Sequence, residues 1–175
     1  MAESYKEIMN YINTFIFDVD GVLTDSSVHV SENGAMLRTM NIRDGFAMKA
    51  AIESGYNVCI ISGGFNEGVR IRLQNLGIKD IYLASSDKVK TFEDYCTLRS
   101  IVPKNVLYMG DDIPDYHVMQ LVGLAAAPQD AVPEIKKISV YISHVNGGKG
   151  AVRDVIEQVM KVQGKWHLYY NGKHD

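Results

Sequence analysis

The sequence predicts an α/β fold: a Rossmann-like three-layer arrangement with a parallel sheet, a β-hairpin inserted after the first strand, and no cap domain. Three observations predict it. Short apolar runs such as Phe15–Phe17, Tyr56–Ile61 and Asn105–Met109 read as buried strands. Segments of helical length separate them, and strands that alternate with helices form a parallel sheet covered on both faces. Two of the runs end in carboxylates, Asp18-Val-Asp20 and Gly110-Asp-Asp112, and ligands bind at the carboxyl edge of such a sheet.

Taken in order, Ser4 to Ile12 is a short helical or irregular lead-in to the first strand. Ser27–Ser31 alternates and Met36–Met40 can extend, and Asn33-Gly34 between them is a strong hairpin signal, placing a hairpin over about 27–40. Its apolar positions Val28, Val30 and Met36 need something to pack on, either their own domain or other subunits. After Asn41-Ile-Arg-Asp-Gly45, a helix Phe46–Ser54 is expected with Asp44 as its N-cap. The second strand stops at Ser62-Gly63-Gly64. A helix from about Asn66 to Leu76 ends at Gly77, Ile81–Leu83 is a brief strand, and Ser85-Ser-Asp-Lys88 opens a helix to about Ser100. The strand to Met109 leads into Gly110-Asp-Asp-Ile-Pro-Asp115 and a helix to Val122. Leu124–Ala127 and Val140–Ile142 are the last strands, with a short helix Val132–Lys137 between them. A final helix Gly150–Val162 precedes a tail of about 163–175. The short connections leave no room for a cap domain.

At 175 residues, with 46% hydrophobic and 22% charged, the chain can build one domain with a sizeable core. A net charge of −3 gives no electrostatic footprint for nucleic acid or an anionic membrane. No apolar run approaches the roughly 20 residues a membrane span needs. Cys59 and Cys96 lie far apart and form neither a metal motif nor a disulfide framework, which fits a reducing, cytoplasmic setting. Met1–Asn10 is mixed and charged, unlike a signal peptide.

Asp18 and Asp20 stand two apart in an extended segment, so their side chains share one side and converge. Carboxylates that close repel unless one is protonated or a cation lies between them, and Mg2+ takes oxygen ligands. Together with Asp111, Asp112 and Asp115, Asp18 and Asp20 can supply a Mg2+ site with two or three direct carboxylates. One Asp of the first pair can attack as a nucleophile while the other serves as general acid and base. Ser62 offers a hydroxyl beside a helix start, where it either binds a phosphoryl oxygen or only caps the helix. Lys88 opposes the dipole of the helix it opens, so it either serves an anion or faces solvent. The acidic run Asp111, Asp112, Asp115 also suits a plain helix N-terminus.

The ordered set Asp18-Val-Asp-Gly-Val-Leu-Thr-Asp25, Ser62, Lys88 and Gly110-Asp-Asp-Ile-Pro-Asp115 resembles the haloacid dehalogenase superfamily, mostly phosphatases that pass through an aspartyl-phosphate. The resemblance runs from about Thr14 to Lys165. The chain is similar in particular to the capless subgroup that contains the 3-deoxy-D-manno-octulosonate 8-phosphate phosphatases. The similar features are the hairpin, Asn41–Gly45, Leu76-Gly-Ile78, Gly147-Gly-Lys-Gly-Ala-Val-Arg-Asp154 and Gln163-Gly-Lys165. The resemblance implies Mg2+-dependent hydrolysis of a phosphorylated sugar acid, within lipopolysaccharide biosynthesis, through Asp18, Asp20, Ser62 and Lys88. It implies Asp18, Asp20 and Asp111 as the metal residues, with Asp112 and Asp115 behind them. It also implies a homotetramer joined through the hairpins, with a neighbouring subunit helping to close each site. Lys149 would then meet the sugar carboxylate, with Arg72, Arg43 and Lys49 adding positive charge. Asn41, Asp44, Gly45 and Gly63 would line the site beside Asp20 and Lys88.

The chain departs from the subgroup in one place. Where its members often have Thr-Gly-Arg, this chain has Ser62-Gly63-Gly64. The hydroxyl is kept and a cation that could meet the sugar acid is gone. Three rival readings follow from the same residues: a phosphatase for a sialic-type nine-carbon keto-acid 9-phosphate, a response-regulator receiver, and a non-catalytic tetrameric assembly domain. A receiver needs its acceptor Asp at the end of a middle strand, where this chain has Ser62.

Overall fold

A computed structural model gives the fold and describes residues 4–167. After a one-turn lead-in helix α1 (Tyr5–Met9), closed by a Ser4/Glu7 capping box, comes strand β1 (Thr14–Phe17). The hairpin strands are β2 (His29–Val30) and β3 (Met36–Leu37). Helix α2 (Ile42–Glu53), β4 (Asn57–Ile61), α3 (Glu67–Asn75), β5 (Asp80–Tyr82) and α4 (Lys88–Arg99) follow. The chain continues through β6 (Val106–Met109), α5 (Tyr116–Met119), β7 (Leu124–Ala127), α6 (Pro133–Ile138), β8 (Tyr141–Ile142) and α7 (Ala151–Val162). The six longer-range strands form one parallel sheet in the order β5-β4-β1-β6-β7-β8, with β1 at its centre.

The alternation along each strand sets the two faces. Phe15, Phe17, Val58, Ile60, Leu107 and Met109 meet α1, α2, α3 and α7 on one side. Ile16, Cys59, Ile61, Val106 and Tyr108 meet α4, α5 and α6 on the other. Thr14 to Phe17 are all buried because β1 is covered on both faces, as a central parallel strand must be. Each fully buried apolar side chain of this kind contributes roughly 1.5–3 kcal/mol. Among the described residues, no helix is long and apolar enough to cross a membrane.

The elements follow the sequence reading with three differences. The hairpin pairs only His29 with Leu37 and Val30 with Met36, since its side chains stay exposed and nothing holds a longer ladder together. Gly34 at its tip takes φ +81°. Helix α2 starts earlier than expected and Asp44 is not its N-cap. Asn41 holds that place, accepting the amides of Arg43 and Asp44 at 2.8 and 3.4 Å, and Asp44 lies buried one turn in. Helix α5 stops at Met119 rather than Val122, because the chain turns at once into β7. A Cβ on Gly123 would lie 1.9 Å from the Lys104 carbonyl oxygen, so that turn requires glycine. The expected tail falls partly outside the described residues.

Candidate active site

The site forms where β1 and β6 end side by side. The Phe17 and Met109 positions are in register, and the Asp18 amide donates to the Met109 carbonyl at 3.2 Å. Asp18 and Asp111 therefore emerge at the same edge. Their approach depends on Gly21, which turns the chain at φ +85°; a Cβ there would overlap the Asp111 carboxylate at 1.8 Å. Gly110 is required in the same way, since its Cβ would lie 2.4 Å from Asp115. The Asp18, Asp111 and Asp115 carboxylates each place an oxygen within 4.8 Å of the others.

Lys88 enters this cluster from the first turn of α4. Its Nζ lies 2.8 Å from Asp18 Oδ2 and 2.7 Å from Asp115 Oδ1. Its side chain is 6% exposed, so this is an interior ion pair and not a surface one. Asp115 has other partners: Oδ1 also accepts the Tyr108 hydroxyl at 2.8 Å, and Oδ2 accepts the Asp111 amide at 3.2 Å. Asp115 thus orients Lys88 and the Asp111 backbone.

The electrostatics follow from three carboxylates around one ammonium. Burial, then the charge of Asp115, pushes the Asp18 carboxyl up to about 6 against the pull of Lys88. Burial, then the charges of Asp18, Asp115 and Asp112, push Asp111 up to about 8. Burial works against the Lys88 ammonium, but the two carboxylates raise its pKa on balance and keep it charged. The cluster suits a divalent cation, which would remove the repulsion that raises both carboxyls. Asp18, Asp111 and Asp115 are the clustered carboxylates that could hold it; Asp18 also accepts the Val19 amide and Lys88, and Asp115 accepts Lys88, Tyr108 and the Asp111 amide.

Asp20, expected with Asp18 and Asp111 as a metal residue, is not one of these three clustered carboxylates. Its carboxylate is held by Arg38 of the hairpin, Nε to Oδ1 at 2.7 Å and Nη2 to Oδ2 at 3.2 Å. Ser62, buried at the end of β4, lines a small pocket with Asp20, Arg38 and Gly64. Gly63 passes close to the loop before α4, with its Cβ position 3.7 Å from the Ser85 carbonyl oxygen. Asp112 is exposed and caps the turn before α5 through the Ile113 amide.

The residues that the resemblance assigns to substrate are more spread out. Arg72 lies over α2, its Nη2 2.7 Å from the Cβ position of Gly45, and lines a cleft of about 380 Å3 with Arg38. Asn41 Nδ2 donates to the Gly148 carbonyl at 3.4 Å. Arg43 and Lys149 line a separate cleft of about 500 Å3 along α7, where Lys149 pairs with Asp25 at 3.2 Å. Lys49 is half-buried on α2. Asp44 accepts the Arg153 amide at 2.8 Å, in the first turn of α7, which has no side-chain cap of its own.

The sequence reading missed Arg38 and Tyr108. Tyr108 had a signal, a polar tip within an apolar strand that asks for a partner. Arg38 had none, since its partner is 18 residues away across the hairpin.

The chain is similar to known proteins along most of its length. Residues 64–156 match the family model described as haloacid dehalogenase-like hydrolase. A 3-deoxy-D-manno-octulosonate 8-phosphate phosphatase of Salmonella typhi is 40% identical over 154 residues, 88% of this chain and 82% of the relative. The crystal structure of the Yersinia pestis enzyme of that name aligns with a TM-score of 0.92 at 33% identity, covering 95% of this chain and 90% of that one. The Moraxella catarrhalis enzyme, solved with a magnesium ion, a phosphate ion and 3-deoxy-D-manno-octulosonate (KDO), aligns at 0.91 with 28% identity and 94% of each chain. The chain belongs to the haloacid dehalogenase-like hydrolases, in the group that contains the 3-deoxy-D-manno-octulosonate 8-phosphate phosphatases.

Proposed function

We propose that this protein is a Mg2+-dependent phosphatase that hydrolyses 3-deoxy-D-manno-octulosonate 8-phosphate to the free sugar acid and inorganic phosphate. The observation that carries the chemistry is the buried Asp18 carboxylate, held by Lys88 at 2.8 Å and facing Asp111 at the sheet edge. Phosphatase relatives that are 40% identical over most of the chain support the substrate.

Asp18 attacks phosphorus, forming the aspartyl-phosphate bond as the bond to the ester oxygen breaks. The departing oxygen takes a proton from Asp20. Asp20 then accepts a proton from water, whose oxygen bonds to phosphorus while the Asp18–phosphorus bond breaks. Lys88 and Ser62 meet the phosphoryl oxygens, and Mg2+ bound by Asp18 and Asp111 supplies charge neutralisation there. Asp115 and Tyr108 hold Lys88 in place.

The hairpin supports a homotetramer whose neighbouring subunit completes each site: Val30 and Leu37 are 69% and 60% exposed, with Val28 and Met36 beside them. Arg43 and Lys149, which line the α7 cleft, suit contacts to a sugar carboxylate in such an assembly. The two buried free thiols support a cytoplasmic site of action.

Phosphate release is the test, measured on the octulosonate 8-phosphate, a nine-carbon keto-acid 9-phosphate and p-nitrophenyl phosphate, with Mg2+ and with chelator. The highest kcat/KM is expected on the first, with Mg2+ only. Preference for the nine-carbon ester would move the substrate assignment, and no turnover of any ester would remove the enzymatic one.

A further inference from the structure

Arg38 takes no part in the phosphoryl-transfer steps, yet it pairs directly with Asp20. Its side chain is only 8% exposed although the hairpin that carries it is open to solvent. One edge of its guanidinium, Nε and Nη2, engages the two oxygens of Asp20, and the remaining Nη1 donates to the Met36 carbonyl at 3.3 Å. Asn66, the N-cap of α3, donates to the same carbonyl at 2.9 Å. The return strand of the hairpin is thereby fastened to the start of α3, and the guanidinium is fastened to Asp20.

Gly64 makes room for this pair. A Cβ at that position would lie 3.2 Å from Asp20 Oδ2 and 3.7 Å from Arg38 Nη2. Its backbone is not in the left-handed region, so conformation does not demand glycine there. What a side chain would meet there is the ion pair, with its Cβ crowding the Asp20 carboxylate by a few tenths of an ångström. The planar two-point contact also fixes the orientation of the carboxylate, which a single hydrogen bond would leave free to rotate.

We propose that Arg38 is a positioning residue for Asp20: the hairpin delivers a guanidinium that holds the acid–base carboxylate at the mouth of the site, and Gly64 provides the space in which it lies. The proposal rests on the phosphatase reading, in which Asp20 gives its proton to the leaving oxygen. Arg38 makes no contact with Asp18, Asp111 or Asp115 among its hydrogen bonds, so its effect passes through Asp20.

The test compares esters that differ in their need for a proton. An alkyl phosphate such as the octulosonate 8-phosphate must be protonated as it leaves, whereas p-nitrophenyl phosphate departs as a stable phenolate. The kcat/KM of each reports the steps through loss of the leaving group. Arg38→Ala is expected to lower kcat/KM for the alkyl ester by about 10- to 100-fold, mostly in kcat, and for the aryl ester by less than about threefold. Arg38→Lys, which keeps the charge but not the two-point contact, is expected to recover part of the alkyl rate. A thermal melt of each variant separates misfolding from misplacement, and Arg38→Lys carries the same comparison if Arg38→Ala does not fold. Equal losses on both esters, no loss on either, or a raised KM for the sugar-acid ester with kcat unchanged would each overturn the proposal. Wild-type turnover tests the phosphatase reading by itself; the ratio of variant to wild type, on any alkyl phosphate the enzyme turns over, tests Arg38.

Discussion

Asp18 with Asp111 at the sheet edge and Asp44 on α2 are both regions of buried carboxylate, and burial is the first cause of the raised pKa in each. They differ in what surrounds the charge. Asp18 and Asp111 face other carboxylates, so their repulsion can be relieved by a cation. Asp44, pushed up to about 6, faces backbone amides and Arg153, and it caps the first turn of α7 from another helix. The same desolvation cost thus supports chemistry in one place and helix docking in the other, and the neighbouring charges decide which.

The largest expected effect separates the two regions by activity. Asp18→Asn should lower turnover by at least about 10^4-fold, as loss of a nucleophile does, while its melting temperature in chelator stays equal or rises because a repelling charge is gone. Near-normal steady-state phosphate release by the folded variant would contradict the aspartyl-phosphate route.

Metal and pH sharpen the comparison further. A carboxyl whose folded pKa lies above its unfolded value of 3.8 contributes stability below that value and loses it as pH rises through the folded pKa. In chelator, stability should therefore fall as pH climbs to about 6 and again towards about 8, as Asp18 and then Asp111 ionise. Mg2+ should flatten that fall and should release protons when it binds near neutral pH. Asp111→Ala should remove most of the Mg2+ effect in both measurements. Melting curves across pH with and without Mg2+, and calorimetry in two buffers of different ionisation enthalpy, check both points. A pH profile that Mg2+ does not alter would mean that the cluster holds no cation.

The smallest effect belongs to Asp44. Asp44→Ala removes a cap from α7 and should cost about 1 kcal/mol, with a range of roughly 0.5–2. The Asp44 share of the pH dependence has the same sign, ending near pH 6, but Mg2+ should not restore it. Denaturant unfolding at pH 7 reads the first point. An unchanged midpoint would show that α7 gains nothing from the cap.

The sequence by itself determined the sheet and the chemistry along it. The apolar runs at β1, β4, β6 and β7 encode buried strands by local pattern; Asp18 and Asp111 follow strand ends and Lys88 opens a helix, so placing the elements places them. Tertiary structure alone decided the rest. Asp44 looked like a local N-cap because Asp before a helix usually is one, yet its partner is the Arg153 amide, 109 residues away. Asp20 was expected among the metal carboxylates with Asp18; it is not one of the clustered three, and its carboxylate pairs with Arg38 of the hairpin. Local pattern reports which way a side chain points within its own element. Which donor it meets depends on how distant segments fold back, and for Asp20 and Asp44 those segments were the residue after the hairpin strand β3 and the helix α7.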